Sequence, residues 1–195
     1  MDLDKAQQAL ARCFGGILQA FRDALGGPSA PATSNEAAWA FVARVMRDHY
    51  FTPEAQTWLR ANVNLHVDDL TSTRGGGYWQ PANREVRLFT AQDEAAVHEL
   101  AHAWWHDRRH PVKDEMINAT IRLSEETDPR YRDTANLAHG YIHGILEQNW
   151  PGMLVDRNDW EMFAGLASGT MGDMRKLPPY VRQLYQGLFL MPSGD

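Results

Sequence analysis

The sequence predicts an α+β protein that is mainly α, with a small antiparallel sheet packed on one of its helices. Apolar residues recur at helical spacing over most of the chain, whereas strand-like alternation and turn residues occur only around positions 63–89. The chain has 195 residues, of which 44% are hydrophobic, so it can bury a core without crosslinks. We therefore expect one domain with two lobes around a cleft.

The helices and strands are expected in the following order. An amphipathic helix near the N-terminus ends before a stretch at 28–34 that has the composition of a linker. Thr33 and Glu36 have the spacing of a capping box and open a second helix, and Pro53 opens a third. Strands are expected at 63–67, 78–79 and 84–89, and helices at about 91–109, 112–126, 129–147, 158–168 and 179–189.

Composition indicates which partners and which location to expect. With 19 basic and 25 acidic side chains the net charge is −6, which argues against nucleic acid or an anionic membrane surface as a partner. No stretch approaches the roughly 20 apolar residues that a membrane span needs. Cys13 is the only cysteine, and the first residues lack the positive charge of a secretory signal. We expect a cytoplasmic location.

The strongest local motif is His98-Glu99-Leu-Ala-His102. Two histidines four residues apart on a helix differ by about 6 Å in rise and about 40° in direction, so both imidazoles can bind one zinc ion. The carboxylate of Glu99 can then take a proton from a water molecule beside the metal. The alternative is a pair of histidines with a purely structural role.

A catalytic zinc site needs a third protein ligand and an open position. His106 continues the spacing, but it lies about 12 Å along the helix axis from His98, which is too far for ligands that each sit about 2 Å from the ion. We therefore expect the third ligand on a later helix. The best candidate segment is 158–164, because it opens an apolar helix with a carboxylate near its start.

The motif His-Glu-x-x-His, followed later in the chain by Glu-x-Phe-Ala on a helix, resembles the gluzincin branch of the zincin metallopeptidases. The preceding glycine-rich turn, tyrosine and apolar strand also resemble the minimal zincin domain, in which an edge strand lies above the metal. The resemblance covers about 75–168. The metzincin pattern is excluded, because Trp105 and Arg108 stand where it needs glycine and histidine. The resemblance implies a zincin-like fold, Glu99 as the general base and one zinc ion per chain held by His98, His102 and Glu161.

Residues 1–195 are then one zincin-like domain. Residues 1–34 hold the N-terminal helix and linker, and are either a pro-region that covers the cleft or part of the upper lobe. Residues 35–110 form the upper lobe with the sheet and the metal helix. Residues 111–195 form a helical lower lobe with the third ligand.

Other roles remain open for several of these residues. Glu161 also has capping-box spacing from Asn158. His139 and His143 repeat the four-residue spacing, but no carboxylate stands between them, so we expect packing, hydrogen bonding to the transition state or, if Glu161 is not the ligand, metal binding. Cys13 is expected in the core rather than on the zinc.

Amide hydrolysis also needs a donor for the developing oxyanion. Similar proteins carry a tyrosine ahead of the glutamate, where this chain has Leu154. Spacing does not choose among the remaining candidates, which are Tyr141, His139, His143 and Tyr180, with Tyr78 as a weaker one.

The expected function is that of a zinc-dependent metalloendopeptidase with a peptide or protein substrate. An extended peptide would lie antiparallel along the strand at 84–89 and gain main-chain hydrogen bonds. Two alternatives share the same ligands. One is a regulatory or degenerate zincin that cuts or binds one cytosolic partner, and the other is a zinc hydrolase of a non-peptide amide or ester.

Overall fold

The computed structural model describes residues 35–68, 76–147 and 158–193. The expected N-terminal helix, linker and capping residue Thr33 lie outside these residues, as do Cys13 and Leu154. Within them, seven α-helices and three strands follow one another: α1 (Asn35–Asp48), α2 (Pro53–Asn62), β1 (Asn64–Val67), β2 (Gly77–Gln80), β3 (Glu85–Leu88), α3 (Asp93–His106), α4 (Arg109–Ser124), α5 (Arg132–Glu147), α6 (Asn158–Thr170) and α7 (Pro179–Arg182). The prediction of a mainly helical α+β chain with a small sheet is confirmed.

The sheet is mixed, with strand order β1-β3-β2. β2 and β3 form the expected antiparallel hairpin around the short 3₁₀ turn Pro81–Asn83, with Gly77 opposite Leu88. β1 pairs with the other side of β3 in parallel, with Asn64 opposite Glu85. The prediction of a purely antiparallel sheet is therefore wrong for β1. Alternating apolar residues identified β1 as a strand but carry no information on the direction of its partner.

One face of the sheet is buried, with β2 and β3 against α3 and β1 against α1. The side chains on this face are apolar and include Leu65, Val67, Val86 and Leu88, whereas the side chains between them are polar. Every residue from 96 to 105 on α3 is buried. α3 is thus the central helix, covered by the sheet on one side.

α6 covers α3 on another side, and these two helices share the largest contact between any two described elements. Trp105 of α3 stacks on Phe163 of α6 with ring centroids 4.3 Å apart, and Phe163 stacks on Tyr185 at the same distance. The Tyr185 hydroxyl donates a hydrogen bond to the Phe163 carbonyl. The three rings fix the position of α6 on α3.

The predicted helix starts agree well with the structure, and one predicted end does not. Thr52 caps α2 by accepting a hydrogen bond from the Ala55 amide, with proline at the first helical position. The helix expected at 179–189 is shorter, because α7 ends at Arg182 and a 3₁₀ turn follows. Gly187 adopts a φ of 88°, which a helix cannot continue through and which favours glycine. Among the described helices, none has both the length and the apolar character needed to cross a bilayer.

Candidate metal centre

The side chains of His98, His102 and Glu161 converge where α6 begins on α3. The two imidazole Nε2 atoms are 3.0 Å apart. His98 Nε2 lies 3.5 Å from one carboxylate oxygen of Glu161, and His102 Nε2 lies 3.4 Å from the other. Tetrahedral zinc with bonds of about 2.0–2.1 Å separates its ligand atoms by about 3.3 Å. These three side chains could hold a metal ion.

The first half of this cluster follows directly from local sequence. α3 is rich in alanine and contains neither proline nor glycine, so it continues as a helix through the motif and places both imidazoles on one face. The second half comes from the first turn of α6. Both oxygens of Glu161 face the imidazoles, which favours the ligand role over the alternative of capping α6.

The charges in the cluster stabilise an ionised carboxylate. Burial would raise the pKa of Glu161, but the charge of His102 and the hydrogen bonds with both imidazoles outweigh it and hold that pKa well below its ordinary value. Burial lowers the pKa of His98, while the hydrogen bond with Glu161 and the charges of Glu99 and Glu161 raise it, with a net increase. The Glu161 carboxylate and the His98 imidazole therefore favour opposite charges in close contact, whereas water would screen these charges on an exposed surface.

Glu99 lies beside the cluster and under β2. It is 6% exposed, and burial raises its pKa against the lowering effect of the two imidazoles. Its carboxylate accepts a hydrogen bond from the backbone N–H of Trp79. β2 can come this close because residue 77 is glycine, whose missing Cβ would lie 2.6 Å from the Arg87 carbonyl oxygen and 3.0 Å from the Glu99 Cγ.

The outer edge of β2 lies against Glu99. The Phe89 amide donates a hydrogen bond to the Gly76 carbonyl, so these two residues form a hydrogen-bonded pair. Hydrogen-bonded and non-hydrogen-bonded pairs alternate along an antiparallel ladder. Gly77 and Trp79 are therefore in non-hydrogen-bonded pairs, and their backbone N–H and C=O groups point away from β3. Among the described residues, no strand pairs with this edge. The expectation that a peptide pairs with the strand at 84–89 is wrong, because β3 is the central strand and both its edges are occupied. The edge that lies beside Glu99 and has no partner strand among the described residues belongs to β2.

The two imidazoles differ from most metal-binding histidines in one respect. Such histidines usually donate their second ring N–H to a carboxylate or carbonyl group. Here the Nδ1 atoms of His98 and His102 are buried without a hydrogen-bond partner within the described part of the chain. Ring contacts orient them instead: the two imidazoles meet edge to face at 4.6 Å, and the Trp160 ring lies 6.2 Å from that of His102.

The candidates for an oxyanion donor lie in different places. Tyr141 is 3% exposed, and its phenol occupies the space where Gly165, one turn after Glu161, lacks a Cβ. His139 on the same helix is exposed. The Tyr180 hydroxyl lies 3.4 Å from a Glu126 carboxylate oxygen, with the Arg122 guanidinium over its ring.

The last two candidates for the oxyanion donor are Tyr78 and His143. The Tyr78 hydroxyl donates to Glu85 on the polar face of the sheet, away from α3. The side chain of His143 lies outside the described residues. Tyr141 packs on the helix that carries Glu161.

Asp159, two residues before Glu161, has a role that was not predicted from the sequence. It is 2% exposed and accepts hydrogen bonds from Trp105 and Arg109. The first turn of this apolar helix holds two acidic residues, Asp159 and Glu161, and local sequence does not indicate the partners of either one. Its partners lie 54 and 50 residues earlier in the chain, beyond the reach of local spacing.

No family model, curated protein or solved structure matched this chain. The assignment of a function therefore rests on the residues and distances described above.

Proposed function

We propose that the protein is a zinc-dependent metalloendopeptidase of the zincin type. The observation that carries the proposal is the convergence of His98, His102 and Glu161 on one point, with Glu99 beside them. The three ligand atoms come from two helices that the hydrophobic core holds together. Glu99 also accepts a hydrogen bond from Trp79 on β2, and the outer edge of this strand could hold an extended chain.

The donor set fits zinc better than the common hard cations. Two imidazole nitrogens and one carboxylate oxygen are the ligands of catalytic zinc sites, which leave a fourth position open. Magnesium and calcium prefer shells made of oxygen. Bound zinc would supply a Lewis acid that polarises the scissile carbonyl and makes water more acidic.

Glu99 is suited to the role of general base. Its raised pKa brings it closer to neutrality, where a base can accept a proton and release it again. The hydrogen bond from the Trp79 amide holds its carboxylate in place under β2. In the proposed reaction Glu99 takes a proton from the attacking water and passes it to the leaving amine.

An open strand edge favours a peptide substrate over a small amide or ester. The N–H and C=O of Gly77 and the C=O of Trp79 point outward from β2, and an extended peptide could pair with them. A non-peptide substrate would leave these groups without partners. The proposed binding mode is therefore addition of a substrate strand to β2, beside Glu99.

Metal analysis tests the ligand set. We expect one zinc ion per chain by mass spectrometry, a sharp loss in Glu161→Ala, and no loss in Glu115→Ala, which changes an exposed glutamate on α4. Zinc retained in Glu161→Ala would contradict the third-ligand role of Glu161. A wild-type protein that binds no zinc would reject the proposal.

Activity measurements test the base. In Glu99→Gln we expect zinc binding to persist and cleavage of casein to fall by about 10² to 10⁴, whereas Glu115→Gln should cleave normally. Full activity of Glu99→Gln would contradict the mechanism. Cleavage of small acyl substrates but not casein would favour the non-peptide hydrolase. Bound zinc without turnover on either substrate would favour a degenerate zincin or one with a single partner.

A further inference from the structure

Asp159 is a buried carboxylate in the first turn of α6. One of its oxygens accepts hydrogen bonds from the Trp105 indole N–H at 2.7 Å and from Arg109 Nε at 3.1 Å. The other accepts from Arg109 Nη2 at 2.9 Å. A carboxylate is rarely this buried unless it is fully paired, and these three bonds satisfy it. They also join three helices at one point.

This point is next to the candidate ligands on both helices. Trp105 lies three residues after His102 on α3, and Asp159 lies two residues before Glu161 on α6. Residues two apart on a helix point about 200° from each other. The contact of Asp159 with Trp105 and the contact of Glu161 with the imidazoles therefore constrain the rotation of α6 about its own axis.

Trp105 provides a reference for that rotation because it belongs to α3 and is 2% exposed there. Its ring is stacked at 4.3 Å on Phe163, and the two planes are 16° from parallel. Arg109 reaches the same region from α4, with its guanidinium 5.0 Å from the Trp160 ring centre. The Trp160 ring in turn lies against His102. The hydrogen bonds of Asp159 thus connect the ligand-bearing turn of α6 to groups that packing already holds in place.

We propose that Asp159 is a positioning residue for the metal centre. Its hydrogen bonds with Trp105 and Arg109 hold α6 in the rotation that brings the Glu161 carboxylate to His98 and His102. This inference rests on the proposed function, since it needs a metal ion at that point. Metal sites tolerate ligand displacements of only a few tenths of an ångström, so loss of these bonds weakens metal binding about tenfold or more.

The competing role for Asp159 is purely structural, as half of a buried ion pair that stabilises the fold. A structural role lowers stability without changing the geometry or affinity of the metal centre. A positioning role changes both, even when the protein remains folded. The two roles therefore separate when the metal centre and the apo fold are measured independently.

Asp159→Asn is the first variant, because asparagine keeps the size of the side chain but loses its charge. We expect zinc affinity, measured by competition with a chromogenic chelator, to fall about tenfold or more. The visible spectrum of the Co²⁺ form should also shift, while the far-ultraviolet circular dichroism of the apoprotein stays unchanged. Affinity and spectrum within twofold of wild type would overturn the positioning role.

Asp173→Asn is the matched control. Like Asp159, Asp173 pairs with an arginine: it contacts Arg175, two residues later in the chain, at 2.8 Å. Unlike Asp159, it lies outside the candidate centre. Its loss should leave zinc affinity and the Co²⁺ spectrum unchanged. An equal fall in affinity in this variant would show a general effect of stability and would overturn the inference.

A second variant covers the case in which Asp159→Asn does not fold. The double variant Asp159→Leu with Arg109→Met replaces the buried pair by apolar side chains of similar length, which commonly restores stability. We expect it to fold and still to bind zinc at least tenfold more weakly than wild type. Wild-type affinity in this variant would overturn the positioning role.

Glu161→Gln separates failure of this inference from failure of the proposed function. If wild type and Glu161→Gln bind zinc equally weakly, the metal centre itself is wrong and the inference is overturned with it. If wild type binds zinc, Glu161→Gln does not, and Asp159→Asn matches wild type, only the positioning role is overturned.

Discussion

On α3, the two imidazoles of the candidate centre stand four residues apart on one helix, and ring contacts rather than hydrogen bonds to Nδ1 orient them within the described residues. On α6, the carboxylate of Glu161 reaches the same point from a helix whose position depends on a stack of rings and on the buried Asp159. The first half is set by backbone geometry and the second by tertiary packing. Damage to packing should therefore act on the Glu161 half of the centre while the histidine pair stays intact.

Phe163→Ala should produce the largest effect. Phe163 is fully buried between Trp105 and Tyr185, so its truncation should lower the free energy of unfolding by about 3–5 kcal/mol. Because it lies two residues after Glu161, the variant should also bind zinc more weakly. Urea denaturation and chelator competition measure the two effects.

Phe51→Ala is the matched control for that variant. Phe51 is equally buried and packs edge to face at 4.7 Å on Phe189, which belongs to neither α3 nor α6. We expect a similar loss of stability with zinc affinity retained wherever the protein is folded. Equal losses of zinc affinity in the two variants would contradict the distinction between the histidine pair on α3 and Glu161 on α6.

Gly165→Ala should have an intermediate effect. A Cβ at position 165 would fall on the hydroxyl group of Tyr141, whose buried ring has little room to move. We expect a loss of about 1–3 kcal/mol from overpacking, reduced by the higher helix propensity of alanine. Zinc affinity should fall as well, because the strain acts one turn from Glu161.

Two further variants sharpen this result. Gly169→Ala on the same helix meets only the end of the Leu137 side chain, which can rotate away, so it should cost less. In a Tyr141→Leu background, Gly165→Ala should lose most of its cost, and the difference is the coupling energy of a double-mutant cycle. A coupling energy near zero would show that the Tyr141 ring is not what excludes a side chain at 165.

The same contrast explains how much of the structure the sequence could predict. The spacing of His98 and His102 determines their geometry as soon as the segment is helical, and the starts of α2 and α6 follow from local signals such as Thr52. An apolar helix with a carboxylate near its start indicated the segment 158–164, and the resemblance to a family motif then indicated Glu161 within it. The packing of α6 on α3 itself has no local signature.

Other features of the structure depend on partners that no local pattern contains. The parallel pairing of β1 and the central position of β3 depend on how the fold brings the three strands together. Alternation of apolar residues predicts that a segment is a strand, but it does not predict which strand pairs with it. Asp159 was missed for the same reason: its partners are brought together only by the fold. The geometry of His98 and His102 can thus be predicted from the sequence, whereas the position of Glu161 on α6 cannot.

The smallest expected effect concerns the start of α3. Asp93, in the first turn, accepts hydrogen bonds from Arg44 at 2.6 and 2.9 Å and contacts His49 at 3.0 Å. The hydrogen bonds with Arg44 come first among the causes that hold the pKa of Asp93 below its ordinary value. The stability it contributes is therefore present above the pKa of about 3.9 of an unfolded aspartate and is lost as the pH falls through the lower folded value.

Asp93→Asn should accordingly cost no more than about 1 kcal/mol at pH 7, since the pair is partly exposed. The difference from wild type should shrink as the pH falls below about 4, which urea denaturation at a series of pH values would show. Zinc affinity at pH 7 should remain unchanged, because the helix that carries both histidines does not need its first turn to hold their spacing. A loss of affinity comparable to that of Phe163→Ala would mean that the histidine half also depends on tertiary contacts.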